Sequence, residues 1–192
     1  FVNAIEDHYK PKFSGDTLPR DKLGDLSALA DKFETLISLF SINEIPTGDR
    51  DPFGLRRNVI GIIRIIIEKN IPLNFIELIN KFIPSENERE KLLLIKFIYE
   101  RLFNYLKEKK YTSEQVEAVL SLKYAYINDL PNRLKALNSF TKLIQSQDLA
   151  SANKRVRNIL KKYDETIIES VNTTLLEEEA EIELHDKLEH LH

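Results

Sequence analysis

Apolar positions along this chain recur at three- and four-residue steps, the pattern of helices that bury one face. Between Asp21 and Phe40 the stripe is Leu26, Leu29, Ala30, Phe33, Leu36, Ile37 and Phe40. After a loop through Pro46 and Gly48, Asp51-Pro52 predicts the start of a helix over 52–70. The Asp carboxylate can accept from free amides, and Pro fits the first turn without an N–H. This helix carries Val59, Ile60, Ile62, Ile63, Ile65, Ile66 and Ile67, is apolar on most of its circumference, and should be the buried centre. Its β-branched residues would also suit a strand, but the Asp-Pro start, the length and the stripe Arg56, Arg57, Arg64, Glu68 favour a helix.

Pro72 and Pro84 bracket a short helix with Phe75, Ile76, Ile79 and Phe82. A longer one over 86–110 is expected to turn Leu92, Ile95, Tyr99, Leu102, Phe103 and Leu106 inward. Thr112 with Gln115 three residues later predicts a capping box and a helix through Leu122. Pro131 starts another with Leu134, Leu137, Phe140 and Leu143. The stretch 149–162 places Ala152, Val156, Ile159 and Leu160 on one side, and 172–191 reads as a last helix. Phe1 to Arg20 completes an element before a loop at Gly15 and Pro19. The fold class is all-α, a bundle of seven or eight helices around the 52–70 helix.

Composition narrows the chemistry. Cys, Trp and Met are absent from the 192 residues, so neither a disulfide framework nor a thiolate zinc site is available, which suits a cytoplasmic setting. A chain that opens on Phe1 without Met reads as a segment of a longer protein. The longest apolar run, Val59 to Ile67, is interrupted by Gly61 and Arg64 and is far short of the roughly 20 residues of a membrane span. No signal-peptide pattern precedes it. Five Gly argue against a sheet-rich fold and against a glycine-rich phosphate loop. The net charge of -3 hides a segregation. Arg133, Lys135, Lys142, Lys154, Arg155, Arg157, Lys161 and Lys162 face a single acid, Asp148, whereas the run from Asp164 onward is nearly all acidic. A polyanion can therefore be met locally despite the overall sign.

Candidate chemistry is sparse, and a complete catalytic site is not expected. The four His stand at 8, 185, 190 and 192, and no Ser sits in a Gly-flanked elbow of the kind Ser/His/Asp catalysis uses. Glu181, His185 and Glu189 share a helical face, and His185-Asp186 is the dipeptide of metal-dependent HD phosphohydrolases. That class also needs a carboxylate well downstream, so a solvated acidic helix end is the preferred reading. Arg56 and Arg57 could bind RNA phosphates bidentately, or one could pair with Asp31 or Asp51 and hold the loop to the helix. Ser151 to Leu160 is the strongest candidate on chemistry alone. Its basic side chains suit backbone phosphates, and Asn153 and Asn158 can both donate and accept at bases or sugars.

The ordered series Tyr9-Lys-Pro-Lys-Phe-Ser-Gly-Asp-Thr-Leu-Pro19, Ala30-Asp-Lys-Phe-Glu-Thr-Leu36, Pro46-Thr-Gly-Asp-Arg-Asp-Pro-Phe-Gly-Leu-Arg-Arg57, Ile66-Ile-Glu-Lys-Asn70 and Ala152-Asn-Lys-Arg-Val-Arg-Asn-Ile-Leu160 resembles the beta subunit of the bacterial two-subunit glycyl-tRNA synthetase. The likeness runs from about Tyr9 to Leu160 and fades in the acidic tail. It implies an HD-like domain ending within 1–45, a helical body over 46–147 and the start of an anticodon-binding-like module over 148–192. The implied function is tRNA binding and positioning for glycine–tRNA ligation, with the catalytic site on the alpha subunit and no catalytic residue here. The implied tRNA-binding residues are Lys154, Arg155, Arg157, Lys161, Asn153, Arg56 and Arg57. The resemblance puts Asp31 at the last carboxylate position of an HD-type centre, a metal candidate more readily read as structural. ATP and Mg2+ are implied for the complete enzyme, and no cofactor for this stretch. The implied partners are tRNA(Gly) and the alpha subunit in an alpha2beta2 assembly, in the cytoplasm, with no membrane and no DNA. Two other readings stand beside it: a fragment of an HD-type phosphohydrolase, and a helical protein-interaction module.

Overall fold

The computed structural model describes residues 2–162 and 171–190. The start of the acidic run at Asp164 and the expected end of the last helix at Leu191 lie outside the described residues. Among them are nine α-helices: α1 (Val2–Asp7), α2 (Lys22–Ser41), α3 (Leu55–Glu68), α4 (Phe75–Phe82), α5 (Glu88–Glu108), α6 (Ser113–Leu120), α7 (Leu130–Phe140), α8 (Gln145–Leu160) and α9 (Glu179–Glu189). Short 3-10 turns occupy Ser85–Asn87, Ile127–Asp129 and Thr173–Leu175. The protein is all-α, and none of the helices is long and apolar enough to cross a membrane. The chain forms two compact units, Phe1–Leu143 and Ile144–His192.

Local chemistry sets most helix ends. Asp21 caps α2 by accepting from the Gly24 amide at 2.8 Å, and Asn74 caps α4 through the Glu77 amide at 3.0 Å. The Thr112 and Gln115 capping box forms in both directions, at 3.3 and 3.1 Å. α3 starts three residues later than Pro52. Asp51 is still its anchor, because its carboxylate accepts from the amides of Leu55 at 2.8 Å and Arg56 at 3.0 Å. Between them Gly54 adopts φ 65°, a left-handed conformation that side-chain-bearing residues resist. Asn70, at φ 51°, ends α3, with the Ile71 amide reaching back to the Ile66 carbonyl at 2.9 Å in a six-residue closing turn. α9 begins at Glu179 and not near Asn172, because Glu178 and Glu181 cap each other reciprocally, while Asn172 caps the turn at Thr173–Leu175.

α3 is the centre of the first unit. It packs on α2, on α5 and on the 127–129 turn, and Leu55, Val59, Ile62, Ile63, Ile65 and Ile66 are buried there. Its polar edge is tied down as well: the Arg64 guanidinium donates to Glu68 at 3.1 Å and to the Asp16 carbonyl at 2.8 Å. Tyr105 of α5 donates to the same Glu68 oxygen at 3.1 Å.

Three inward faces differ from those read off the periodicity. On α2, Leu26 and Ala30 are exposed, whereas Asp25, Ala28 and Lys32 are buried with Leu29, Phe33, Leu36 and Phe40. The reason lies on α3. Gly61 has no side chain, and the aliphatic stem of Lys32 lies in that gap, delivering its ammonium to the Tyr9 carbonyl at 3.3 Å. On α5, apolar residues cover more than one side. Leu94, Phe97, Ile98, Leu102, Tyr105 and Leu106 are buried, while Leu92 is exposed and Ile95, Tyr99 and Phe103 are half-buried. On α4, Phe82 is exposed and Ile83, just beyond the helix, closes the core in its place.

A polar clamp holds the amino-terminal loop. Asp7 has no accessible surface, and it accepts from the Arg20 backbone amide at 2.8 Å and from the Arg20 guanidinium at 2.9 and 3.0 Å, with Lys10 at 3.0 Å. Arg20 also pairs with Glu6. The Arg20 guanidinium holds the Asp7 carboxyl well below the usual carboxylate range.

Both features lend themselves to measurement. A Cβ at Gly61 would lie 2.8 Å from Cε of Lys32, so Gly61→Ala is expected to cost about 1–3 kcal/mol in chemical denaturation. Most of that cost should vanish when Lys32→Ala is added, which a double-mutant cycle measures. Because the folded chain binds the Asp7 proton less readily than the unfolded chain, the stability from this clamp is complete above about pH 4 and is lost as pH falls below it. Asp7→Asn should therefore melt several degrees below the parent at neutral pH. The gap should narrow as melts are repeated toward about pH 2.

Candidate nucleic-acid interface

The second unit gathers most of its described cations on one helix and the turn that ends it. α8 starts at Gln145 and runs to Leu160, and with 3.6 residues per turn its positions separate into two sides. Leu149, Ala152, Val156, Ile159 and Leu160 form an apolar stripe that is exposed within this unit. Lys154, Arg155, Asn158 and Lys162 recur at one, three and four residues and, with Ser151 and Ile159, wall a shallow groove of about 360 Å3. Arg157 and Lys161, four residues apart, extend the positive side along its edge. Asn153, seven residues before Leu160, falls at the border of the apolar stripe and away from the groove.

Every one of these cations is exposed, and among the described residues none is paired with a carboxylate. That matters because a cation already held by an acid would have to break that pairing before meeting a phosphate. Lys162 belongs to the groove although the resemblance did not single it out; the four-residue spacing from Lys154 through Asn158 is the signal that finds it. Arg133, which opens the basic stretch of sequence, is engaged elsewhere in the first unit. Its guanidinium pairs with Asp129 at 2.8 Å and stacks 3.8 Å from the Tyr124 ring.

Arg56 and Arg57 belong to the first unit, where they behave differently from each other. Arg56 is half-buried and donates to the Gly48 carbonyl, which ties the loop to α3 and takes one of its five N–H donors. The acid is not its partner: Asp51 is taken up by backbone amides. Arg57 is exposed, and its guanidinium lies over Gly54, close enough that a Cβ there would sit 3.0 Å from it. Asp31 is exposed on α2, and only its backbone carbonyl is engaged, by Thr35 at 2.9 Å.

The same holds at the acidic end. Glu181 accepts from the amides of Glu177 and Glu178 at 3.2 and 3.3 Å, which makes it a helix cap and not a ligand. Among the described residues no three His, Asp or Glu converge so as to hold a metal ion.

Residues 1–121 match the family profile described as the glycyl-tRNA synthetase beta subunit. The chain belongs to that family. It is 48% identical over 184 residues to the glycine–tRNA ligase beta subunit of Leptothrix cholodnii, covering 94% of this chain and 26% of the relative. It is 47% identical over 190 residues to that of Janthinobacterium sp. strain Marseille, covering 97% and 27%. With the Dechloromonas aromatica beta subunit the identity is 47% over 192 residues, again 97% and 27%. This member of the beta-subunit family thus spans about a quarter of the length of the relatives it matches, and the alignments extend past residue 121 into α8.

Because the Arg56 side chain is committed to Gly48, Arg56→Ala should lower stability by about 1 kcal/mol and leave nucleic-acid affinity unchanged. Denaturant titration and filter binding on the same protein separate the two effects.

Proposed function

We propose that this chain is the part of a glycyl-tRNA synthetase beta subunit that lays the basic side of α8 along a tRNA backbone, holding tRNA(Gly) while glycine is joined to it at an active site on the alpha subunit. In this reading 1–45 closes an HD-like domain, 46–147 is a helical body and 148–192 begins an anticodon-binding-like module. ATP and Mg2+ serve the alpha subunit, the assembly is alpha2beta2, and the setting is the cytoplasm.

The observation that carries it is the set of exposed, unpaired cations on α8 and the turn that ends it: Lys154, Arg155 and Lys162 at the groove, Arg157 and Lys161 beside it. Membership of a glycyl-tRNA synthetase beta-subunit family makes tRNA the natural polyanion to consider. Ammonium and guanidinium groups at this spacing release counterions from phosphates without reading base sequence. The grip is therefore expected to position tRNA more than to select it.

A second reading has an observation of its own. Between α5 and α6 of the first unit, Leu92, Ile95, Tyr99, Phe103 and Leu120 line an open groove of about 920 Å3, which suits an apolar segment of the alpha subunit. Leu92→Asp in the full-length chain would then weaken capture of the alpha subunit and leave tRNA affinity intact.

The main test is a gel shift of tRNA(Gly) with the full-length protein and the combined variant Lys154→Glu, Arg155→Glu, Lys162→Glu. Binding should weaken, and the slope of log affinity against log salt should fall by about 2 to 3, about one for each phosphate no longer neutralised. An unchanged affinity and slope would remove α8 from the interface.

A further inference from the structure

A second polar cleft lies in the first unit, between the start of α2 and the turn that ends α3. It holds about 540 Å3, within the range of small-ligand sites, and its walls include Lys22, Asp25, Lys69 and Asn70. The turn at Asn70 that closes α3 brings Lys69 and Asn70 to the rim.

Asp25 is the unusual member. It is 6% exposed, yet its carboxylate accepts no hydrogen bond, and Oδ1 is shut off from solvent without a partner. Buried acids are normally satisfied, and an orphan carries a desolvation penalty that a bound donor would relieve. Asp21, one turn earlier, also lines the cleft and caps α2 through Oδ1, but it is exposed, so Asp25 is the buried acid of the cleft. Burial pushes its carboxyl up from the ordinary carboxylate range, and Lys69 opposes that rise.

Two lysines stand in the same lining. Lys22 and Lys69 are exposed, and among the described residues neither is paired within ion-pair distance. The Asn70 side-chain oxygen accepts from Asn128 at 3.0 Å, which leaves the amide nitrogen of Asn70 free to donate. A buried carboxylate beside two unpaired lysines puts an acceptor next to two cations, which disfavours an ammonium or guanidinium guest. It suits a guest that offers a hydroxyl beside an anion.

We propose that this cleft binds a ribose–phosphate unit, with the Asp25 carboxylate accepting from a ribose hydroxyl while Lys22, Lys69 and the Asn70 amide hold the adjoining phosphate. The unit can come from an RNA strand or from a free ribonucleotide. The strand source rests on the tRNA-binding reading above, whereas the cleft itself makes no use of α8.

The test uses the full-length protein with its partner subunit, and compares the parent with Asp25→Leu, which removes the acceptor, and with the exposed double variant Lys22→Ala, Lys69→Ala. The probes are cytidine 5′-monophosphate, a 5′-phosphorylated single-stranded RNA and the DNA strand of the same sequence. If a strand is the source, the parent should prefer RNA to DNA by roughly tenfold, the worth of one hydrogen bond to a charged group. Asp25→Leu should erase that preference, and the lysine double variant should weaken both strands. If a mononucleotide is the source, cytidine 5′-monophosphate should bind the parent and weaken roughly tenfold or more in both variants. Melting curves report whether Asp25→Leu folds; if it does not, Asp25→Ala and the lysine double variant carry the test. Equal RNA preference and equal nucleotide affinity in parent and variants overturn the proposal. That outcome is separate from failure at α8, which the charge-reversed α8 variant reports with Asp25 intact.

Discussion

The first unit depends on one constraint: α3 is apolar around most of its surface, so it must be covered from several directions at once. A single partner helix covers only one stripe. The chain meets this by placing α2 and α5 against α3 and folding the 127–129 turn onto it. At the carboxy-terminal half of α3, Arg64 and Glu68 form a polar cluster with Tyr105 of α5 and the loop at Asp16. Burial of this order, at about 25 cal/mol per Å2 of apolar surface, is what offsets the entropy of ordering so many connections.

Polar groups placed inside that core show how closely packing and charge are linked here. Asp7 is enclosed, but every side of its carboxylate meets a donor from Arg20 or Lys10. Lys32 is enclosed because its stem fills the gap left by Gly61, and burial lowers the affinity of its amine for a proton. Asp25 follows neither pattern: it is buried without a donor of its own, at the edge of a cleft that Lys22 and Lys69 also line. Two satisfied groups read as architecture, and the unsatisfied one reads as a place prepared for something else.

The second unit is organised by different physics. Its helix α8 keeps an apolar side and a cationic side, both open to solvent within the unit. No acid among the described residues neutralises the cations. Such a helix gains little from its own fold and much from a polyanion, whose counterions are released on binding. That contrast between a packed first unit and an exposed, charged second one underlies the proposed division between scaffold and tRNA grip.

Sequence pattern was enough to establish the all-α class, the capping box at Thr112, the anchoring role of Asp51 and the basic character of the stretch that forms α8. Each of these rests on neighbours within a few positions along the chain, where hydrogen-bond and side-chain geometry is local. The tertiary structure decided the rest. It turned Leu26, Ala30, Leu92 and Phe82 outward and Asp25 and Lys32 inward, because the inward face of a helix is chosen by the gaps on its neighbours. It also committed Arg56 to the Gly48 carbonyl and added Lys162 to the α8 groove. A one-dimensional pattern records which residues are apolar or charged, but whether a given charge meets a partner depends on residues distant in sequence that only the folded chain brings together.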